Sequence, residues 1–129
     1  MPSWTEIQEY ARSKYMLTRD EENWFSLTFG YEDGRSQLVR VRLFHAYDEQ
    51  WLEFNSVICK SDEMSPKAAL KKNAKLTIGS IALDDDDDYI LLHNAPLATM
   101  DIEEFERPLH AIARIADTME EEHAGGDTW

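Results

Sequence analysis

The sequence lacks most of what announces catalysis, export or nucleic-acid binding. It has one cysteine, Cys59, in 129 residues, which excludes an intrachain disulfide framework and suits a reducing compartment. Basic residues number 13 against 26 acidic ones, a formal net charge of −13. That shortage of cations argues against nucleic acid, because phosphate binding rests on Lys and Arg neutralising backbone charge. It argues equally against anionic membrane surfaces. No apolar run approaches the about 18 residues a membrane helix needs, and residues 1–25 have neither the basic start nor the apolar core of a secretory signal. The expectation is a soluble cytoplasmic protein whose partners have basic or mixed surfaces.

Catalytic signatures are missing too. There is no GxSxG, no P-loop, no glycine-rich phosphate cradle, and no HxxxH or CxxC spacing. The reading is of a protein that is not an enzyme and carries no cofactor or metal. Bulky core material is present: 43% of residues are apolar, with four Trp, five Tyr and five Phe. A chain this long buries about two thirds of the surface its unfolded form exposes, and needs no disulfide or metal to fold. One domain over residues 1–123 is expected, followed by a fraying tail at 124–129.

The patterns predict an αβββαββα order. Ser3 and Glu6 form a capping box for a first helix with a stripe of Trp4, Ile7, Ala11 and Tyr15. The polar stretch from Thr18 to Asn23 ends it. Trp24 to Tyr31 alternates, Glu32-Asp33-Gly34-Arg35 turns, and Ser36 to Ala46 alternates again. A turn at Asp48-Glu49-Gln50 leads into Trp51 to Lys60, completing an antiparallel meander. Ser65 before Pro66 opens a short basic helix over 66–74. Leu76 to Leu83 and Tyr89 to His93 make a second hairpin around the run Asp84 to Asp88, read as a solvated turn without the glycine and spacing of a calcium loop. Asp101 caps the last helical region. Pro108 divides it into a short turn at 101–106 and a longer helix from Arg107 to His123, with Phe105, Leu109, Ile112, Ala116 and Met119 inward. The fold expected is α+β, a five-stranded antiparallel sheet with three helices. Cys59, at the end of a strand, reads as a small buried hydrophobe. The four histidines (His45, His93, His110 and His123) are scattered.

The alternation exposes one anomaly. Trp24, Leu38, Phe44, Trp51 and Val57 point away from the face that carries Phe25, Leu27, Val41 and Phe54. The first and last helices suffice to cover the latter face. The other has only helix 66–74 to hide it, with Arg40 and Arg42 placed to stack on Trp24 or Trp51. Contiguous apolar patches mark interfaces, so Trp24, Leu38, Arg40, Arg42, Phe44 and Trp51 are the candidate partner-binding set. Ile90-Leu91-Leu92 is apolar on both faces, which predicts a twofold dimer using Leu70, Ile78, Ile90 and Leu92.

Element order, acidity, the stretch Ala69-Leu70-Lys71-Lys72-Asn73-Ala74-Lys75-Leu76-Thr77-Ile78-Gly79, and the echo of Leu97-Ala98-Thr99-Met100-Asp101 leading into Ile112-Ala113-Arg114-Ile115-Ala116-Asp117 carry a resemblance. Over Trp4 to Glu120 the chain resembles class I type III secretion chaperones and the related YbjN-like bacterial proteins. In such families an Asn near the end of the short helix precedes a Gly in the next strand, here Asn73 and Gly79. The resemblance implies a homodimer that holds a partner protein, such as an unfolded segment of a secretion effector, without catalysis. Pro108 departs from a straight final helix. Two other readings stand beside it: a YbjN-like regulatory or stress protein with a folded partner, and an acidic inhibitor or immunity-type protein acting on a basic enzyme.

Overall fold

The computed structural model describes residues 3–123; the tail expected at 124–129 lies outside them. Ser3 Oγ accepts a hydrogen bond from the Glu6 amide at 3.2 Å and opens α1, Trp4–Lys14. Trp4, Ile7 and Ala11 form its buried stripe. Tyr15, expected on that stripe, is instead the extended residue that ends the helix. Six strands and two further helices follow: β1 (Leu17–Asp20), β2 (Trp24–Gly30), β3 (Ser36–Ala46), β4 (Glu49–Lys60), α2 (Pro66–Asn73), β5 (Ser80–Leu83), β6 (Asp88–Pro96) and α3 (Ile102–His123). The strands form one antiparallel sheet in the order β1-β2-β3-β4-β6-β5.

The sheet therefore has six strands, not five. The additional one, β1, occupies part of the polar stretch expected to be loop. It is an edge strand, exposed except at Leu17, so no apolar alternation announces it. Polar contacts hold it instead. Thr18 Oγ1 lies 2.9 Å from Ser26 Oγ on β2, and Asp20 accepts hydrogen bonds from Arg12 at 2.6 Å and Gln8 at 2.8 Å on α1.

Two turns fall slightly off their expected places. Gly34, at φ +84°, closes the β2–β3 hairpin as read. The β3–β4 hairpin turns on Tyr47 and Asp48, at φ +52° and +61°, so Glu49 and Gln50 belong to β4. After α2 the chain does not enter a strand at Leu76. Residues 76–79 turn through Gly79, at φ +86°, and β5 begins only at Ser80.

α3 is one continuous helix, against the expected break at Pro108. Asp101 caps it, accepting from the Glu104 amide at 2.7 Å. An interior proline costs about 3 kcal/mol. Phe105, Leu109, Ile112, Ala116 and Met119 on either side of it are all buried, and each large apolar side chain gains about 1.5–3 kcal/mol by burial. Continuity of that stripe outweighs the proline, whose own ring is buried with it.

The three helices share one face of the sheet. Trp4 of α1 stacks on Phe25 at 5.6 Å, and Phe105 of α3 meets Phe25, Phe54 and Tyr10 at 6.4, 5.8 and 6.2 Å. Met64 and Ala69 bring α2 into the same core, and Lys72 reaches Glu122 of α3 at 3.1 Å. A β-bulge between Val57 and Cys59 turns both Ile58 and Cys59 inward. At the far end Arg35, just before β3, pairs with buried Asp117 and Glu120 of α3 at 3.1 and 3.0 Å.

Asn73 and Gly79, singled out by the resemblance, have local causes. The Asn73 amide donates to the Ile81 carbonyl at 3.2 Å and accepts from its N–H at 2.5 Å, engaging the outer edge of β5 with a side chain. At Gly79 a Cβ would sit 2.8 Å from Ile112 Cδ1 and 3.3 Å from Leu91, in a backbone conformation that L-residues avoid. Gly79→Ala is accordingly expected to destabilise the fold by about 2–3 kcal/mol, combining left-handed strain and overpacking. Urea denaturation at constant m-value checks this, with Gly30→Ala as the control because a Cβ there meets nothing within 4 Å.

Candidate functional site

With all helices on one side, the opposite face of the sheet carries no helix among the described residues. Its composition follows from register. On β3 the outward row is Leu38, Arg40, Arg42 and Phe44, because Val39, Val41 and Leu43 turn inward. Across the sheet Trp24 pairs with Arg42, Arg42 with Glu53, Phe44 with Trp51, and Trp51 with Pro96. The six predicted partner-binding residues therefore share this face, and helix α2 does not cover them. Leu38 is 38% exposed, while Trp24, Arg42, Phe44 and Trp51 are half-buried.

The aromatic rings are organised by arginines. The Arg40 guanidinium lies over the Trp24 ring, 4.8 Å from its centroid, and that of Arg19 lies 5.4 Å from the same centroid. Arg42 lies over Phe44 at 4.9 Å, not over Trp51. Phe44 and Trp51 stack at 6.4 Å and 21°, and Trp51 Nε1 donates to the Ala46 carbonyl at 2.9 Å, fixing the indole. Arg42 also donates to Glu53 at 2.9 Å, and Asn55 donates to the other Glu53 oxygen at 3.0 Å. Burial alone pushes the Glu53 carboxyl up; these two donors and the charges of Arg42 and Arg40 reverse that and hold it below the usual range. Arg19 was missed by the sequence reading, which left β1 as loop. The only signal was the short Leu17-Thr18-Arg19-Asp20 alternation, too brief to read.

The four predicted dimer residues are not brought together. Ile90 and Leu92 lie in the row facing away from the helices, paired with Val57 and Asn55 of β4. Ile78, in the turn before β5, packs against the helix-side core. Leu70 is 68% exposed on α2. Reading Leu76 to Leu83 as one strand put Ile78 in register with residues it does not join.

Cys59 is buried, and its thiol is pushed up to about 11 by burial and by the carboxylates of Glu63, Asp88, Asp62 and Glu120. It stays protonated at neutral pH and is no nucleophile. The histidines are dispersed: His45 on β3, His93 near Phe54 on β6, His110 and His123 on α3. Among the described residues no group of three or more His, Cys, Asp or Glu is arranged to hold a metal ion. Asp84 to Asp88 is a turn closed on Asp84, whose carboxylate accepts from the amides of Asp86 and Asp88 at 2.9 Å each. No described helix is long and apolar enough to cross a membrane.

A second polar cluster, not foreseen, ties α1 to α3. Glu106 accepts from Tyr15 at 2.5 Å and from His110 at 2.8 Å, and Lys14 stands 3.2 Å away. Burial pushes this carboxyl up, but the Tyr10, Tyr15 and His110 side chains and the Lys14 ammonium hold it at about 2. The Tyr15 hydroxyl is pushed up by burial and by Glu106. Neither group is poised for proton transfer near neutrality, so the cluster is a clasp.

No protein-family model matches the chain, and no curated protein matches it in sequence. Solved structures do match in fold. A chain of the HopA1–SchA chaperone–effector complex aligns with a TM-score of 0.62 at 12% identity, covering 91% of this chain and 91% of that one. A chain of the ExsC–ExsE complex aligns with a TM-score of 0.55 at 16% identity, covering 88% and 87%. At these identities the likeness is one of fold. It agrees with the secretion-chaperone-like architecture expected from the sequence, with six strands in place of five; neither structure bears on the YbjN-like side of the resemblance.

The clasp has a definite pH signature. With its folded pKa near 2 against an ordinary 4.5, Glu106 contributes stability that is complete above pH 4.5 and is lost as pH falls towards 2. Glu106→Gln should lower stability at pH 7 by about 1–3 kcal/mol and flatten the acid limb of a denaturation-versus-pH series, the remaining limb coming from Asp20 and Glu53, which are also held low.

Proposed function

We propose that this chain is a non-enzymatic, chaperone-like protein that binds a partner protein over the helix-free face of its sheet and acts as a homodimer. The observation that carries the reading is the bare face itself. Three helices gather on one side, while Trp24, Leu38, Phe44 and Trp51 stand together on the other. A sheet face of this kind, left open by the described residues, suits another polypeptide. Fold likeness to a chain of a chaperone–effector complex and to a chain of a second two-protein complex supports the same role.

The mechanism is cover. Apolar side chains of the client enter between Leu38, Phe44 and Trp51, and the acidic remainder of the surface keeps the pair soluble. The client is an effector-like segment held in extended form, in a cytoplasmic setting. Trp and Arg side chains at the packed centre of an interface are the usual hot spots. A partner co-purified with the tagged wild-type chain should therefore lose more than about 1 kcal/mol of affinity with Trp51→Ala, and likewise with Trp24→Ala. Full retention in both variants, folded by circular dichroism, would remove this face from the reading.

For self-association, the exposed Leu70 on α2 and Leu83 on β5 offer the apolar contact. Light scattering at about 100 µM should give twice the 15.0 kDa chain mass, and Leu70→Asp should return it to one chain. A wild-type mass of 15.0 kDa would sink the dimer and leave the docking face untouched.

A further inference from the structure

The helix-free face carries an exposed guanidinium beside a carboxylate already engaged on both oxygens, and this specifies its ligand more narrowly than apolarity does. The Glu53 carboxylate is already taken on both oxygens, by Arg42 and Asn55. Arg19, which also lies over Trp24, is already paired with Glu21 at 2.9 Å. Arg40 makes no ion pair among the described residues; its guanidinium lies over Trp24 and its side chain is exposed. Stacking on a ring uses the flat side of a guanidinium and leaves the N–H edges free, in the fork geometry that matches a carboxylate. With no carboxylate of the described residues at ion-pair distance, those edges are open to one carried by a ligand.

Along β3 the outward row reads apolar, cationic, cationic, apolar: Leu38, Arg40, Arg42, Phe44. Alternate residues of a strand are spaced about 6.8 Å apart on one face, the same spacing at which an extended peptide presents its own alternate side chains. We propose that the face reads an extended segment of a partner polypeptide in which one or two carboxylates, at alternate positions, are flanked by apolar residues. The carboxylate opposite Arg40 makes a forked ion pair backed by Trp24. The flanking apolar residues meet Leu38 on one side and the Phe44–Trp51 stack on the other. Opposite charge on the segment also draws it to a cationic part of a surface whose overall charge is negative. Nucleic acid meets the same arginines with a continuous charge that the rest of the chain opposes. This inference rests on the docking reading of the same face.

The test is selection of peptides from a random display library against the full-length wild-type chain and against Arg40→Glu and Trp51→Ala, each first checked for fold by circular dichroism. The expected result is enrichment of peptides with Asp or Glu at alternate positions between apolar residues. Their binding should weaken with salt, fall about tenfold or more with Arg40→Glu, and fall with Trp51→Ala. Enriched peptides that are apolar without carboxylates, sensitive to Trp51→Ala and indifferent to Arg40→Glu, would overturn the acidic specificity while keeping the docking face. Peptides indifferent to both variants, or none enriched, would overturn both. A fluorescent single-stranded oligonucleotide bound through Arg40, or concentration-dependent self-association abolished by Arg40→Glu, would hand the site to nucleic acid or to a second copy and overturn the proposal.

Discussion

Phe105 is the contact on which the rest of the molecule depends. Its ring meets Phe25 on β2, Phe54 on β4 and Tyr10 on α1, with no solvent exposure. Each such aromatic pair adds about 0.5–1.5 kcal/mol beyond area burial, and together they bring two helices and the middle of the sheet to one point. Around it α3 lays its apolar stripe across the sheet, the proline tolerated because the stripe continues on both sides of it. α2 lies beside α3, tied to it by Lys72 and Glu122. Once the three helices are on one side, the other side of the sheet is left to whatever is not part of the core.

That division explains why one small domain has two kinds of aromatic. Phe25, Phe54 and Phe105 are wholly buried and contribute by exclusion of water. Trp24, Phe44 and Trp51 are half-buried and held in place by arginines, by each other, or by a backbone carbonyl. The second set has little to gain from the fold itself. Cation–π contacts at such sites are worth about 0.5–1 kcal/mol, enough to order a ring and too little to require it. Rings ordered in advance lose less entropy on meeting a ligand.

Much of this was legible in the sequence. Period-two alternation located the three long strands and sorted Trp24, Leu38, Arg40, Arg42, Phe44 and Trp51 to one face. Capping residues marked all three helix starts: Ser3, Ser65 and Asp101 each accept the amide three residues on. What failed, failed for identifiable reasons. β1 is held by polar side chains and not by an apolar face, so hydrophobic pattern is silent on it. Pro108 was given its intrinsic cost without the burial on either side that exceeds it. Ile78 was grouped with Ile90 and Leu92 by alternation, but the left-handed Gly79 breaks the strand before alternation can apply. Which arginine lies over which ring depends on cross-strand register and rotamer, and no periodicity contains that. The Glu106 clasp joins residues 91 and 95 positions apart from Tyr15, a distance at which a single sequence carries no pairing signal.

The side chain of Asn73 has a consequence for how the sheet can be extended. By occupying both backbone groups of Ile81, it behaves as a one-residue strand that ends the sheet at β5. The other margin, β1, is finished by no such amide among the described residues. The two margins therefore differ: a further strand, from whatever source, meets backbone already engaged at Ile81 on one side and the exposed strand β1 on the other. Edge-to-edge growth of the sheet, which needs two receptive margins per chain, is opposed at one of them by a single carboxamide.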